Sequence, residues 1–157
     1  MTEVKERFGQ FGRIVVGVDG SESSRAALAW AVRQAALTGA RVDAVHAWRA
    51  PASYSYGYGY AMMLPVPDLE KFAREALDEA IAAVADLAPG VEIRPVVVED
   101  NPAQALIDAA KGADLVVVGS RGHGGFTEAL LGSVGQHCVH HAECPVVVIR
   151  GARHDAA

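Results

Sequence analysis

Apolar residues fall along this chain in two kinds of run, and the kinds alternate. Arg13 to Val18, Val42 to Trp48, Val91 to Val98, Leu115 to Val118 and Cys144 to Arg150 are short, nearly unbroken apolar stretches. Such runs are expected of strands covered on both faces. Between them, apolar residues recur at three- and four-residue steps. Ala27, Leu28, Ala31 and Ala35 line one side of a helix from about Glu22 to Leu37, and Leu69, Phe72, Ala76, Leu77, Ile81 and Val84 one side of another from about Asp68 to Leu87. In the second helix, Lys71, Arg74, Glu75, Asp78 and Glu79 fall mostly on the solvated side. A short helix opens at Asn101-Pro102 and stops at Lys111-Gly112, and a last one runs from Ser133 to about His141. Strands alternating with helices predict an α/β fold: a doubly wound, Rossmann-like, five-stranded parallel sheet of order 3-2-1-4-5.

Turn residues punctuate the same places. Asp19-Gly20-Ser21 ends the first strand, Gly39 the first helix and Pro89-Gly90 the second. Asn101 reads as an N-cap with Pro102 in the first helical position, and Pro145 as the opening residue of the last strand. In the expected strand order the switch point lies between strands one and four. Asp19 and the loop Gly119 to Gly125 follow those two strands, where open α/β sheets bind ligands.

The loop has the chemistry for an anion. Gly119, Gly122, Gly124 and Gly125 leave backbone amides unshielded, and Gly132-Ser133-Val134 then opens a helix whose unpaired N–H groups and positive dipole end would face the same ligand. The Ser133 hydroxyl adds a donor, and Arg121 and His123 are the loop's cations. Asp19 has two readings: a helix cap, or a carboxylate that accepts hydrogen bonds from a ribose or holds a metal ion.

The spacing Gly119-x-x-Gly122, nine residues, Gly132-Ser133 resembles the nucleotide-binding motif of the universal stress protein family, in its single-domain, ATP-binding branch. Ile14-Val15-Val16-Gly17-Val18-Asp19-Gly20-Ser21 resembles that family's first strand and turn, Val45-His46-Ala47 its second strand and Cys144 to Val148 its last. The resemblance implies an adenine nucleotide alpha hydrolase-like fold and ATP as the bound nucleotide, with or without Mg2+. It implies a site made of Gly17, Asp19, Ala47, Gly119, Ser120, Arg121, Gly122, His123, Gly124, Gly125, Gly132, Ser133 and Val134, with Ala47 near the adenine. It also implies a regulator of stress adaptation acting through a protein partner that the sequence does not name. A homodimer joined through the last strand, Val146 to Ile149, is expected from the apolar sheet edge and from the family's habit.

Catalysis is not expected beyond slow ATP hydrolysis. The chain has no G-x-x-x-x-G-K-[ST] motif, no lysine in the loop and no second acidic residue evident beside Asp19 for Mg2+. The alternatives are a hydrolase or adenylyl-transferring enzyme, for which Ser120, Ser133 or Cys138 would have to meet His123 or His137, and a dimer module without nucleotide. His46 reads as a structural residue. His137, His140 and His141, with Cys138 beside them, read as complements to a helix C-terminus rather than as metal ligands.

Composition bounds the rest. At 157 residues the chain is expected to form one domain over 13–150, with an N-terminal extension 1–12 and a disordered tail 151–157. A formal charge of -5 argues against a nucleic-acid surface, and no apolar run is long enough for a membrane helix. A cytoplasmic protein with Cys138 and Cys144 as free thiols is expected. Pro51 to Pro67 is the one shift in composition, holding all four tyrosines. It reads as a loop, either a plain connection or a cover for a ligand site or dimer seam.

Overall fold

The computed structural model describes residues 12–49, 68–121 and 131–151. The chain runs β1 (Arg13–Gly17), α1 (Glu22–Thr38), β2 (Arg41–Trp48), α2 (Leu69–Val84), a 3-10 turn (Ala85–Leu87), β3 (Ile93–Glu99), α3 (Pro102–Ala109), β4 (Leu115–Gly119), α4 (Ser133–His141) and β5 (Val146–Ile149). The five strands form one sheet of order β3-β2-β1-β4-β5. Every pairing is parallel, with Val15 opposite Asp43 on one side and Val116 on the other. This is the doubly wound order expected from the alternation of runs.

Successive strand residues point to opposite faces, and each face has its own core. Ile14, Val16, Val42, Ala44, Leu115 and Val117 pack with Ala27, Leu28, Ala31 and Val32 of α1 and Leu77 and Val84 of α2. Val15, Val45, Val116 and Val118 pack with Ala105 and Leu106 of α3 and Cys138 of α4. Each fully buried valine, leucine or isoleucine contributes roughly 1.5–3 kcal/mol relative to exposure. Burial on both faces of β1 and β4 explains why their sequences carry no polar alternation.

The helix ends follow local chemistry. Ser21 caps α1 by accepting from the Ser24 N–H, Asp68 caps α2 through the Lys71 N–H, and Asn101 caps α3 through the Ala103 N–H. At the far end of α1, Gly39 adopts φ 78° and its N–H reaches the Ala35 carbonyl.

Some details differ from the sequence reading. β3 begins at Ile93, not Val91, because the Val91 N–H closes a turn onto the Ala88 carbonyl. β5 begins at Val146, Pro145 serving only as an acceptor for the Val116 N–H. The buried stripe of α2 is Ala73, Leu77 and Val84, whereas Phe72 is 61% exposed, so the helix is rotated from the expected face. The Tyr-rich segment and nearly all of the N-terminal extension and tail lie outside the described residues.

Candidate functional site

Where the strands finish, the chain encloses a cavity of about 430 Å3, a size typical of small-ligand sites. Gly17, Val18 and Asp19 at the end of β1, Val45 and Ala47 of β2, and Val118 and Gly119 of β4 form part of its wall. Pro102 and Leu106 of α3 add apolar lining, and Arg121 with Gly132, Ser133, Val134 and Gly135 at the start of α4 completes it. Part of this lining therefore suits a flat apolar group. Another part presents a cation and a helix N-terminus.

That helix end is unusual among the described helices. Gly132 stands at the N-cap of α4 with φ -63° and ψ 162°, and among the described residues no side chain caps the first turn. Glycine has no side-chain acceptor to offer, so the first N–H groups of α4 lack the cap that Ser21, Asp68 and Asn101 supply elsewhere. Ser133, Val134 and Gly135 belong to this first turn and also line the cavity. A helix start in this condition favours an anion.

The rim is held by hydroxyls. Asp19 Oδ1 accepts from the Ser21 N–H at 2.9 Å and from the Ser21 hydroxyl, so Asp19 fixes the turn while Ser21 performs the capping. The Ser23 hydroxyl donates to the Arg121 carbonyl, and the Arg121 N–H lies 3.3 Å from the Ser23 oxygen. His46 Nδ1 lies 2.7 Å from the Val18 carbonyl. A carbonyl only accepts, so Nδ1 carries the proton and ties β2 to the end of β1.

Of the residues singled out from sequence, Gly17, Asp19, Ala47, Gly119, Arg121, Gly132, Ser133 and Val134 all belong to the lining of this cavity. Ser120 is not on it: its N–H donates to the Ile149 carbonyl and its carbonyl accepts from the Gly132 N–H, both at 2.8 Å, so its backbone is already used. Gly122, His123, Gly124 and Gly125 lie outside the described residues. Gly119 has a role that the motif did not suggest. A Cβ there would sit 2.7 Å from the Ser23 carbonyl carbon and 2.8 Å from the Ser24 nitrogen. Only glycine lets β4 pass α1 this closely.

Sequence reasoning missed Val18, Ser24, Val45, Pro102, Leu106, Val118 and Gly135 in the lining and Ser23 behind it. Leu106 was within reach, because its spacing from Ala103 and Ala110 marks the buried side of α3. Ser23 gave no such signal.

The thiols lie elsewhere. Cys138 is fully buried among the α3 and α4 contacts, and burial first, then the neighbouring Cys144, pushes its pKa up to about 11. Burial likewise raises Cys144. Both stay protonated at neutral pH, which disfavours either as a nucleophile. The His137 and His141 rings are 5.3 Å apart on the exposed side of α4, and among the described residues no group of three His, Cys, Asp or Glu side chains is arranged to hold a metal.

The sequence model of the universal stress protein family matches residues 10–150. The chain belongs to this family. A universal stress protein of Mycolicibacterium smegmatis is 39% identical over 149 residues, covering 91% of this chain and 50% of the relative. The present universal stress protein chain thus spans about half the length of the curated relatives it matches. A solved structure from Burkholderia pseudomallei in the same family is 30% identical, with a TM-score of 0.64 over 88% of this chain and 96% of that one. A universal stress protein solved in complex with cAMP is 26% identical, with a TM-score of 0.69 over 90% of this chain and 99% of that one.

Proposed function

We propose that this universal stress protein domain binds ATP at the carboxyl end of its sheet and works as a nucleotide-dependent regulator of stress adaptation. The observation that carries the reading is the glycine-capped start of α4, whose first turn lines a cavity that Val45, Ala47, Pro102, Leu106 and Val118 also line. A purine packs on Val45, Ala47 and Leu106, a ribose reaches Asp19, and phosphates lie at the amides of Ser133 to Gly135 beside Arg121. The cAMP-bound relative supports an adenine nucleotide. Gly122 to Gly125 complete the phosphate loop in this reading. Nothing in the described site resembles a phosphoryl-transfer centre, so binding rather than turnover carries the signal, with hydrolysis at most slow. Titration calorimetry with ATP tests the proposal: a folded protein that takes up no nucleotide at millimolar concentration refutes it.

The same reading includes a cytoplasmic homodimer that acts through a regulatory protein and not on nucleic acid or membrane. β5 supports the dimer, since Val146–Ile149 form a sheet edge and all four residues stay only half-buried. Val147→Lys places a charge in that seam and shifts sedimentation toward monomer. Wild-type protein already monomeric at micromolar concentration overturns the dimer alone.

A further inference from the structure

We infer that Ser23 is a positioning residue for the phosphate half of the cavity, acting through the backbone of Arg121. The inference rests on the nucleotide reading above, and it concerns a residue that does not itself line the cavity.

Ser23 sits in the first turn of α1 and is only 6% exposed. A serine there commonly bonds to its own helix, as Ser24 does through the Ser21 carbonyl at 3.0 Å. The Ser23 hydroxyl instead engages both polar backbone groups of a residue 98 positions away, accepting from the Arg121 N–H and donating to the Arg121 carbonyl. Ser21 also lies 3.3 Å from that carbonyl, but a hydroxyl has one proton. The nearer, charged Asp19 carboxylate takes the proton of Ser21. Ser23 is therefore the group that holds the Arg121 carbonyl.

The chain leaving β4 is consequently clasped from three sides. Gly119 lies against Ser23 and Ser24, the backbone of Ser120 is shared between Ile149 and Gly132, and Arg121 is held by Ser23. Fixing both backbone groups of Arg121 fixes the direction in which its side chain leaves. Arg121 lines the same cavity as the glycine-capped first turn of α4. Cation and helix start then act on one anion, and the energy of that joint contact depends on keeping the cation in place. A ligand without phosphate does not sense it.

The test compares ATP with adenosine by calorimetry on wild type, Ser23→Ala, Arg121→Ala and the double variant. Ser23→Ala lowers the ratio of ATP to adenosine affinity about fivefold, as expected when one hydrogen-bonded clasp is lost. Because Ser23 works through Arg121, its substitution costs little further ATP affinity once Arg121 is alanine, so the two effects are not additive. Additive effects overturn the inference. So does an unchanged ratio, with or without a lower melting temperature of the free protein, and so does a Ser23→Ala chain that fails to fold, since each makes Ser23 part of the scaffold alone. A wild type that binds neither ligand overturns the nucleotide reading instead.

Discussion

At the end of the sheet where the strands begin, charged side chains satisfy one another and the neighbouring backbone. Arg13 donates to the Ala109 and Lys111 carbonyls at the end of α3, both at 2.7 Å, and to Asp43 at 3.4 Å. Arg41 pairs with the other oxygen of Asp43, and Asp114 accepts from the Gly12 and Arg13 N–H groups. At the end where the strands finish, there is a hollow lined by a glycine-capped helix start and by Arg121. The two ends thus divide the work. A network whose donors and acceptors already face each other offers a ligand nothing to bind, whereas a helix start capped only by glycine presents its backbone donors beside a hollow.

The largest expected effect tests whether that division is clean. Gly119→Ala drives a Cβ into the backbone of Ser23 and Ser24, so overpacking costs about 3 kcal/mol of stability and ATP binding is lost with it. Urea unfolding and calorimetry on the same sample check both. A stable variant that only binds ATP less well would show that Gly119 serves the ligand and not the fold.

Arg13→Ala breaks the comparison from the other end. It leaves two carbonyls at the α3 terminus without their charged donor and Asp43, 8% exposed, without one of its cationic partners. The expected loss is about 2 kcal/mol, seen as a lower urea midpoint with an unchanged slope, while ATP affinity moves less than about twofold. A large affinity loss would mean that α3, which runs from the charged end to Pro102 and Leu106 in the cavity, couples the two ends.

Ser133→Pro sharpens the other side. Position 133 opens α4, and Gly132 before it is already extended, so proline fits and deletes the backbone donor and the hydroxyl of Ser133 together without harming the helix. ATP affinity is expected to fall about tenfold with the melting temperature unchanged. Equal affinity would remove the helix start from the site.

The last expected effect is alkaline. Cys138 is raised from 9.0 to about 11 by burial, so the folded state holds the thiol proton more tightly than the unfolded chain. Its stabilising contribution is complete below pH 9.0 and is lost as pH rises toward about 11. Urea midpoints measured across that window should decline in the wild type and decline less in Cys138→Ala, measured relative to each protein's neutral value.

Much of this architecture was legible in the residues because its causes are local. Unbroken valine runs mark strands buried twice, Ser21, Asp68 and Asn101 mark helix starts, and alternation of the two periods implies a parallel sheet with its switch point between β1 and β4. The same logic put Asp19 and the loop after β4 together at the switch point, while Ala47 was expected there only from the family resemblance; Asp19, Arg121 of that loop and Ala47 all line the cavity. What only the tertiary structure decided depends on how elements cross. The rotation of α2 that leaves Phe72 exposed, the use of the Ser120 backbone by β5 and α4, and the grip of Ser23 on Arg121 follow from angles and distances between segments far apart in the chain. Gly119 is the sharpest case: periodicity can place a glycine at a strand end, but whether its missing side chain makes room for a ligand or for α1 is settled by the neighbour 2.7 Å away.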